Sequence, residues 1–278
     1  MTEVQPTSIG EWSPPEGPLG RLVAAAYARA AAIRLSVPSL ERSAESCPPA
    51  PSFALALRRA DVAVIAELKR SSPSRGIINA ALDVPSRARE YAAAGAAALS
   101  VLTEESEFGG SLKDLGDARR ATEIPLLRKD FIVDRLQLLE ARVAGASAVL
   151  LIARALPPAR FAALAAAARS LGLDVLLEVR DEAELDRALG TDHGIIGVNN
   201  RNLETLVVDD ATSARLLPLV PALRIAVYES GIRDREGVVR AAALGADAVL
   251  VGSSLSSADS GRDAVRALTG VTRRRRAN

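Results

Sequence analysis

Glu67 and Lys69 close a short apolar run two positions apart, so an extended strand would aim both side chains to one face. Lys129 and Phe131 repeat that spacing at the end of another run, and Glu178, then Asn199 with Arg201, then Glu229-Ser230-Gly231 end three more. An amine crowded by carboxylates is the composition of an acid–base site. Like charges in one pocket push proton affinities apart, and an ammonium can release a proton where a guanidinium does not. The alternative is a salt-bridged plug, with Glu67 paired to Lys69 or Lys129. Lysine is scarce here: Lys69, Lys113 and Lys129 stand against 32 arginines. A single cysteine (Cys47) and a single histidine (His193) exclude a Cys/His zinc centre and a disulfide framework, so no metal site is expected. His193 precedes a strand and reads as structural or exposed; Cys47 lies in a Pro-rich stretch and reads as an incidental thiol.

These polar residues all stand where apolar runs stop. The runs are 62–69, 97–103, 125–131, 148–153, 174–179, 194–200, 224–230 and 248–253, eight in all. Between them lie Ala-rich helix candidates at 85–94, 135–144, 158–171, 181–189 and 235–244, several opening after Asp or Pro and closing at Gly. Gly-Ala recurs at 95–96, 145–146 and 245–246, each time ending a helix ahead of a strand. Strands alternating with helices imply parallel pairing, because each parallel connection needs a crossover. Eight such units predict an α/β fold, a (β/α)8 TIM barrel, for which about 250 residues is typical. A doubly wound sheet competes, but no G-x-G-x-x-G follows the first strand. Residues 1–60 are predicted to form an N-terminal helical extension packing on the barrel, with a helix at 22–33 and then Pro38, Pro48, Pro49 and Pro51 breaking the pattern. The barrel spans 61–270, and 271–278 form a basic tail whose Arg273–Arg276 run reads as solvated.

In such a barrel chemistry belongs to the C-terminal ends of the strands. Glu67, Lys129, Glu178 and Glu229 come from the first, third, fifth and seventh runs, whose inward side chains can share a layer. Ser230-Gly231-Ile232 and Gly252-Ser253-Ser254 follow the last two strands, where small residues let backbone N–H groups approach a phosphate. The 278 residues are 49% hydrophobic and 25% charged, with 35 Lys+Arg against 34 Asp+Glu. The resulting net charge of +1 argues against a nucleic-acid surface. No apolar stretch approaches the roughly 18 residues of a membrane span, and the first residues lack a signal-peptide pattern, so a cytoplasmic protein is expected.

The segment Ile65-Ala66-Glu67-Leu68-Lys69-Arg70-Ser71-Ser72-Pro73-Ser74-Arg75-Gly76 closely resembles the first-strand signature of indole-3-glycerol-phosphate synthases. Ser100–Glu104 with Phe108–Ser111, Leu127–Ile132, Leu150–Ile152, Leu177–Val179, Gly197–Leu203, Glu229–Ile232 and Leu250–Leu255 are similar to the remaining motifs, so the resemblance covers about residues 53–256. It implies a carboxy-lyase of tryptophan biosynthesis. That enzyme closes 1-(2-carboxyphenylamino)-1-deoxyribulose 5-phosphate to indole-3-glycerol phosphate, losing carbon dioxide and water without a cofactor. By resemblance Lys129 is the general acid on the ketone oxygen, Glu178 the base for dehydration, and Glu67 an assistant in proton transfer. Lys69 binds an anionic group or donates a later proton. Asn199 and Glu229 hold sugar hydroxyls, Arg201 and Ser72 lie near the carboxylate, Phe108 and Phe131 meet the aromatic ring, and Ser230, Gly231, Gly252 and Ser253 serve the phosphate side. The implied partner is a small phosphorylated and carboxylated substrate; association with other tryptophan-pathway enzymes is left open. Departures are Tyr228, Ser71, Arg75 and an extension lacking the usual charged helix. The related phosphoribosylanthranilate isomerases use a first-strand cysteine, absent here. A paralogue serving a specialised indole pathway, or a silent barrel acting as a binding partner, are the other readings.

Overall fold

The computed structural model describes residues 12–33 and 37–276. Eight strands, β1 (Ala63–Leu68), β2 (Ala98–Leu102), β3 (Leu126–Lys129), β4 (Ala148–Ile152), β5 (Asp174–Val179), β6 (Ile195–Asn199), β7 (Ile225–Glu229) and β8 (Ala248–Val251), form a closed barrel. Every neighbouring pair is parallel. β1 joins β2 on one side, where Glu67 registers with Ser100, and β8 on the other, where Ile65 registers with Leu250. The ring is thus the (β/α)8 architecture that the alternating runs predict. A small antiparallel ribbon, Ser71–Ser72 with Gly76–Ile77, stands in the loop after β1.

Helix starts follow side-chain capping. Asp83, Ser111, Asp134, Asp181, Asp234 and Ser260 each accept a backbone N–H at the head of α4 (Val84–Ala93), α5 (Leu112–Ala121), α6 (Arg135–Val143), α8 (Glu182–Leu189), α10 (Arg235–Ala243) and α12 (Gly261–Leu268). Between these lie α7 (Pro158–Ser170), α9 (Ala211–Leu216) and α11 (Ser253–Ser256). The recurrent Gly-Ala marks helix exits: Gly95, Gly145 and Gly245 take φ of +99°, +85° and +89°, a left-handed turn that costs little only without a Cβ.

The extension holds α1 (Gly17–Ile33), α2 (Val37–Ser46) and α3 (Phe53–Leu57). Leu19, Leu22, Val23, Ala26 and Ala30 of α1 are buried in the same core as the barrel. Three expectations need correction. Pro38 does not break the pattern: it is the second residue of α2, where a missing N–H goes unneeded. Similarly α1 begins at Gly17, ahead of the expected Leu22, with Pro18 in its first turn. The basic tail is solvated only in part: Arg274 and Arg275 are exposed, but their neighbours are not free. Arg273 and Arg276 pair with Asp247 at 2.6 and 2.8 Å, and Arg276 also donates to the carbonyls of Val220 (2.9 Å), Arg224 (2.6 Å) and Gly245. These carbonyls at the N-terminal rim of the barrel need donors, and the tail supplies them. The first eleven residues, Arg34 to Ser36 and the last two residues lie outside the described set, including the start read above for a leader. Among the described residues no helix is long and apolar enough to cross a membrane.

Candidate active site

The strand ends meet at one mouth. Lys129, the last residue of β3, places its Nζ 3.2 Å from Glu178 Oε2 on β5 and 3.0 Å from Glu229 Oε2 on β7. Glu67 of β1 pairs with Lys69 at 2.9 Å and accepts from Ser100 Oγ at 3.3 Å. Asn199, ending β6, donates through Nδ2 to Glu178 Oε1 at 3.0 Å, while its Oδ1 accepts from Ser230 Oγ and the Arg201 N–H, each at 2.9 Å. The Glu67–Lys69 pair of the plug reading exists, but the paired groups line an open cleft of about 240 Å³ instead of sealing it.

Glycines make room for this charge. A Cβ on Gly197 would lie 2.0 Å from Glu229 Oε1, and one on Gly252 would lie 2.2 Å from Glu67 Oε1 and 2.9 Å from Lys69 Nζ. Gly252 therefore serves the carboxylate side of the mouth as well as the loop after β8. Burial disfavours the Lys129 ammonium, but the carboxylates of Glu229, Glu178 and Glu67 outweigh it and hold the proton more tightly than on a free lysine. Glu229 is pushed up to about 7, chiefly by burial, with Glu178 and Glu67 adding repulsion that Lys129 only partly offsets. Burial also works against the Glu67 carboxylate, yet Lys69 and Lys129 prevail and hold it below the usual range. Neighbouring acids thus differ in proton affinity. Such a divide separates acid from base roles.

The far walls differ in character. Phe108, after β2, and Phe131, two residues past β3, stand with ring centroids 6.3 Å apart and planes tilted by 42°. On another side, Arg201 is half-buried, and its proton affinity is lowered first by burial and then by the positive charge of Arg75. Among the described residues neither guanidinium has a carboxylate in ion-pair contact, although Arg201 donates to the Leu206 carbonyl at 2.8 Å. Two guanidiniums sharing one wall in this way favour an anion. Ser72 is buried beside them, with an Oγ that has no hydrogen-bond partner among the described residues. Ser230 and Gly231 take φ of +65° and +93°, and with Gly252, Ser253 and Ser254 they line the remaining edge. For Ser230, a residue with a Cβ, this conformation is strained, and Asn200 holds it by donating Nδ2 to the Ser230 carbonyl at 3.2 Å.

Every residue named from the sequence as a candidate catalytic or substrate-binding residue lines this cleft, whereas Cys47, Lys113 and His193 do not. Sequence reasoning missed Arg233 and Leu22, which also line it, and assigned no role to Arg75. In a chain whose default cation is arginine, residue type gave no signal for either arginine. Leu22 comes from α1, and only its helical spacing with the other buried residues of that helix hints at it. His193 is buried, on the structural side of its two readings. Among the described residues no group of three or more His, Cys, Asp or Glu is placed to hold a metal ion.

The barrel is similar to solved structures of distant sequence. A 3-hexulose-6-phosphate synthase from Salmonella typhimurium superposes with a TM-score of 0.60 at 15% identity, covering 74% of this chain and 96% of the other. A likeness at that identity concerns the fold alone. Relatives by sequence are nearer: Indole-3-glycerol phosphate synthase 1 of Streptomyces coelicolor is 49% identical over 83% of this chain and 84% of its own length. An indole-3-glycerol phosphate synthase of a Nocardioides species is 50% identical over 80% of this chain and 84% of its own. The profile described as Indole-3-glycerol phosphate synthase matches residues 19–268, which takes in all but the first two residues of α1 and all eight strands. Together with a mouth where Lys129 meets Glu178 and Glu229, these matches place the chain in the indole-3-glycerol phosphate synthase family.

Proposed function

We propose that this chain converts 1-(2-carboxyphenylamino)-1-deoxyribulose 5-phosphate to indole-3-glycerol phosphate, and that the residues at the mouth divide the work as follows. The ring carbon bearing the carboxylate attacks the ketone carbon of the sugar chain while the Lys129 ammonium gives its proton to the ketone oxygen. Carbon dioxide then leaves, returning its bonding electrons to the ring. Glu178 next takes the proton whose loss forms the pyrrole double bond as the hydroxyl departs as water. Lys69, which pairs with Glu67, binds the anionic substrate and protonates that leaving group. Arg201, with Arg75 and Ser72, faces the carboxylate. Asn199 and Glu229 receive the sugar hydroxyls, Phe108 and Phe131 the aromatic ring, and the Ser230, Gly231, Gly252 and Ser253 loops the phosphate.

The reading is carried by one observation: an ammonium is suspended between two carboxylates at about 3 Å, in a cleft whose walls are aromatic on one side and cationic on another. Such a charge is held in place before substrate arrives, so little reorganisation is needed when the proton moves. The same reading puts the enzyme in the cytoplasm and makes association with other tryptophan-pathway enzymes an expectation. The test is direct: purified chain is mixed with the carboxyphenylamino substrate, and indole absorbance and released carbon dioxide are followed together. Equal amounts of both are expected. Binding without product would favour the silent barrel.

A further inference from the structure

The extension brings both an apolar side chain and a cation to the mouth. Leu22, Ala26 and Arg29 follow one another along one face of α1, and Leu22 lines the cleft. Two turns further on, Arg29 meets two buried carboxylates: its Nη2 lies 2.9 Å from Asp130 Oδ1 and its Nη1 3.5 Å from Glu104 Oε1. Each carboxylate organises one of the two aromatic loops. Glu104 accepts from the N–H and Oγ of Ser106 (3.0 and 2.6 Å) and from the N–H groups of Glu107 (2.8 Å) and Phe108 (3.2 Å), so the loop after β2 is wrapped around it. Asp130 accepts from the Phe131 N–H (2.8 Å) and from Thr103 Oγ1 (2.8 Å), next to Glu104 in the chain.

The two carboxylates are not equally supplied with counter-charge. Asp130 also pairs with Arg128 at 2.9 Å, whereas Glu104, fully buried, has among the described residues only Arg29 as an ion-pair partner. A buried carboxylate that loses its cation seeks water or moves toward it. The backbone of Phe108 would have to follow Glu104.

We propose that Arg29 is a positioning residue: it bridges Glu104 and Asp130 and thereby fixes the spacing of Phe108 and Phe131, so that the helical extension sets the width of the slot for the substrate's aromatic ring. The proposal rests on the assignment of these two phenylalanines to that ring. Lys129 and Glu178 are held by their own strands and by each other, so loosening the slot weakens substrate binding and leaves the proton transfers in place.

Steady-state kinetics of the full chain decide the matter, using wild type, Arg29→Met, Phe108→Leu and the double variant, with a circular-dichroism melt to establish folding. If Arg29→Met does not fold, Arg29→Gln carries the same expectation. Arg29→Met is expected to raise KM about 5- to 20-fold with kcat changed less than about twofold. Phe108→Leu raises KM by itself. The double variant stays within about twofold of Phe108→Leu, because a slot already loosened has little left to lose. Unchanged KM in Arg29→Met beside a raised KM in Phe108→Leu would overturn the role of Arg29 alone. An unchanged KM in Phe108→Leu would remove the ring assignment and the inference with it. Multiplying effects in the double variant, or a loss confined to kcat, would mean that Arg29 acts elsewhere.

Discussion

Burial sets proton affinity residue by residue, and two carboxylates show how differently. Glu229 faces the cleft and is pushed up to about 7 beside Lys129, while Glu184, outside the lining of the cleft, reaches about 7 chiefly by burial and then by the nearby charge of Asp181, with Glu178 adding to it. Glu184 is the third residue of α8 and accepts the Arg180 N–H at 2.8 Å, a capping role that needs an acceptor and no charge. Between the ordinary value near 4.5 and about 7 the folded chain keeps a proton that the unfolded chain has released, so stability falls as pH rises through that window. Glu184→Gln keeps the acceptor and removes the titration. Urea unfolding should find the variant stabilised relative to wild type by about 2–3 kcal/mol at about pH 7.5 and by much less at about pH 5. The charged residues that meet in the cleft were legible in the sequence because type and place coincide: Lys69 and Lys129 are rare lysines at run ends, and Glu178 and Glu229 are charges ending apolar runs. Arg29 was not legible. Its importance comes from which loops Glu104 and Asp130 hold, and one more arginine among many announces nothing.

Among the elements, strands were read almost to the residue, because a run buried on both faces is bounded wherever polar residues begin. The extension was read poorly for an equally physical reason: a proline is a helix breaker or a helix starter depending on whether the N–H it lacks was needed, and Pro18 and Pro38 both sit in first turns. The tail misled by composition. Four consecutive arginines suggest solvation, which describes Arg274 and Arg275, yet the Arg276 side chain is buried against Asp247 and the carbonyls of Val220, Arg224 and Gly245, fastening this segment beneath β7 and β8. Asp247 Oδ2 in turn accepts the Ala226 N–H at 2.8 Å, so the tail bears on the sheet itself. Arg276→Ala should therefore lower unfolding free energy by about 2–4 kcal/mol in chemical denaturation, with kcat and KM unchanged at temperatures where the variant is folded.

Across the whole molecule, stability and chemistry occupy opposite rims. The tail fastens the N-terminal rim beside β1, β7 and β8, while the C-terminal rim collects Glu67, Lys129, Glu178, Asn199 and Glu229 from β1, β3, β5, β6 and β7, which the closed ring brings to one mouth. The extension belongs to the second rim: Leu19 donates its N–H to the Leu203 carbonyl at 3.1 Å, Leu22 enters the cleft, and Arg29 reaches the aromatic loops. Closure of the barrel is what gathers five scattered residues into one charged cluster around Lys129, the site proposed above for the acid–base steps. The decisive measurement is the rate of indole-3-glycerol phosphate formation by Lys129→Arg against wild type, with substrate binding measured on the same proteins. Arginine keeps the charge between Glu178 and Glu229 but is a poor proton donor, so turnover should fall about 10²–10⁴-fold while the substrate still binds. Near-normal turnover in Lys129→Arg would contradict the account at its centre.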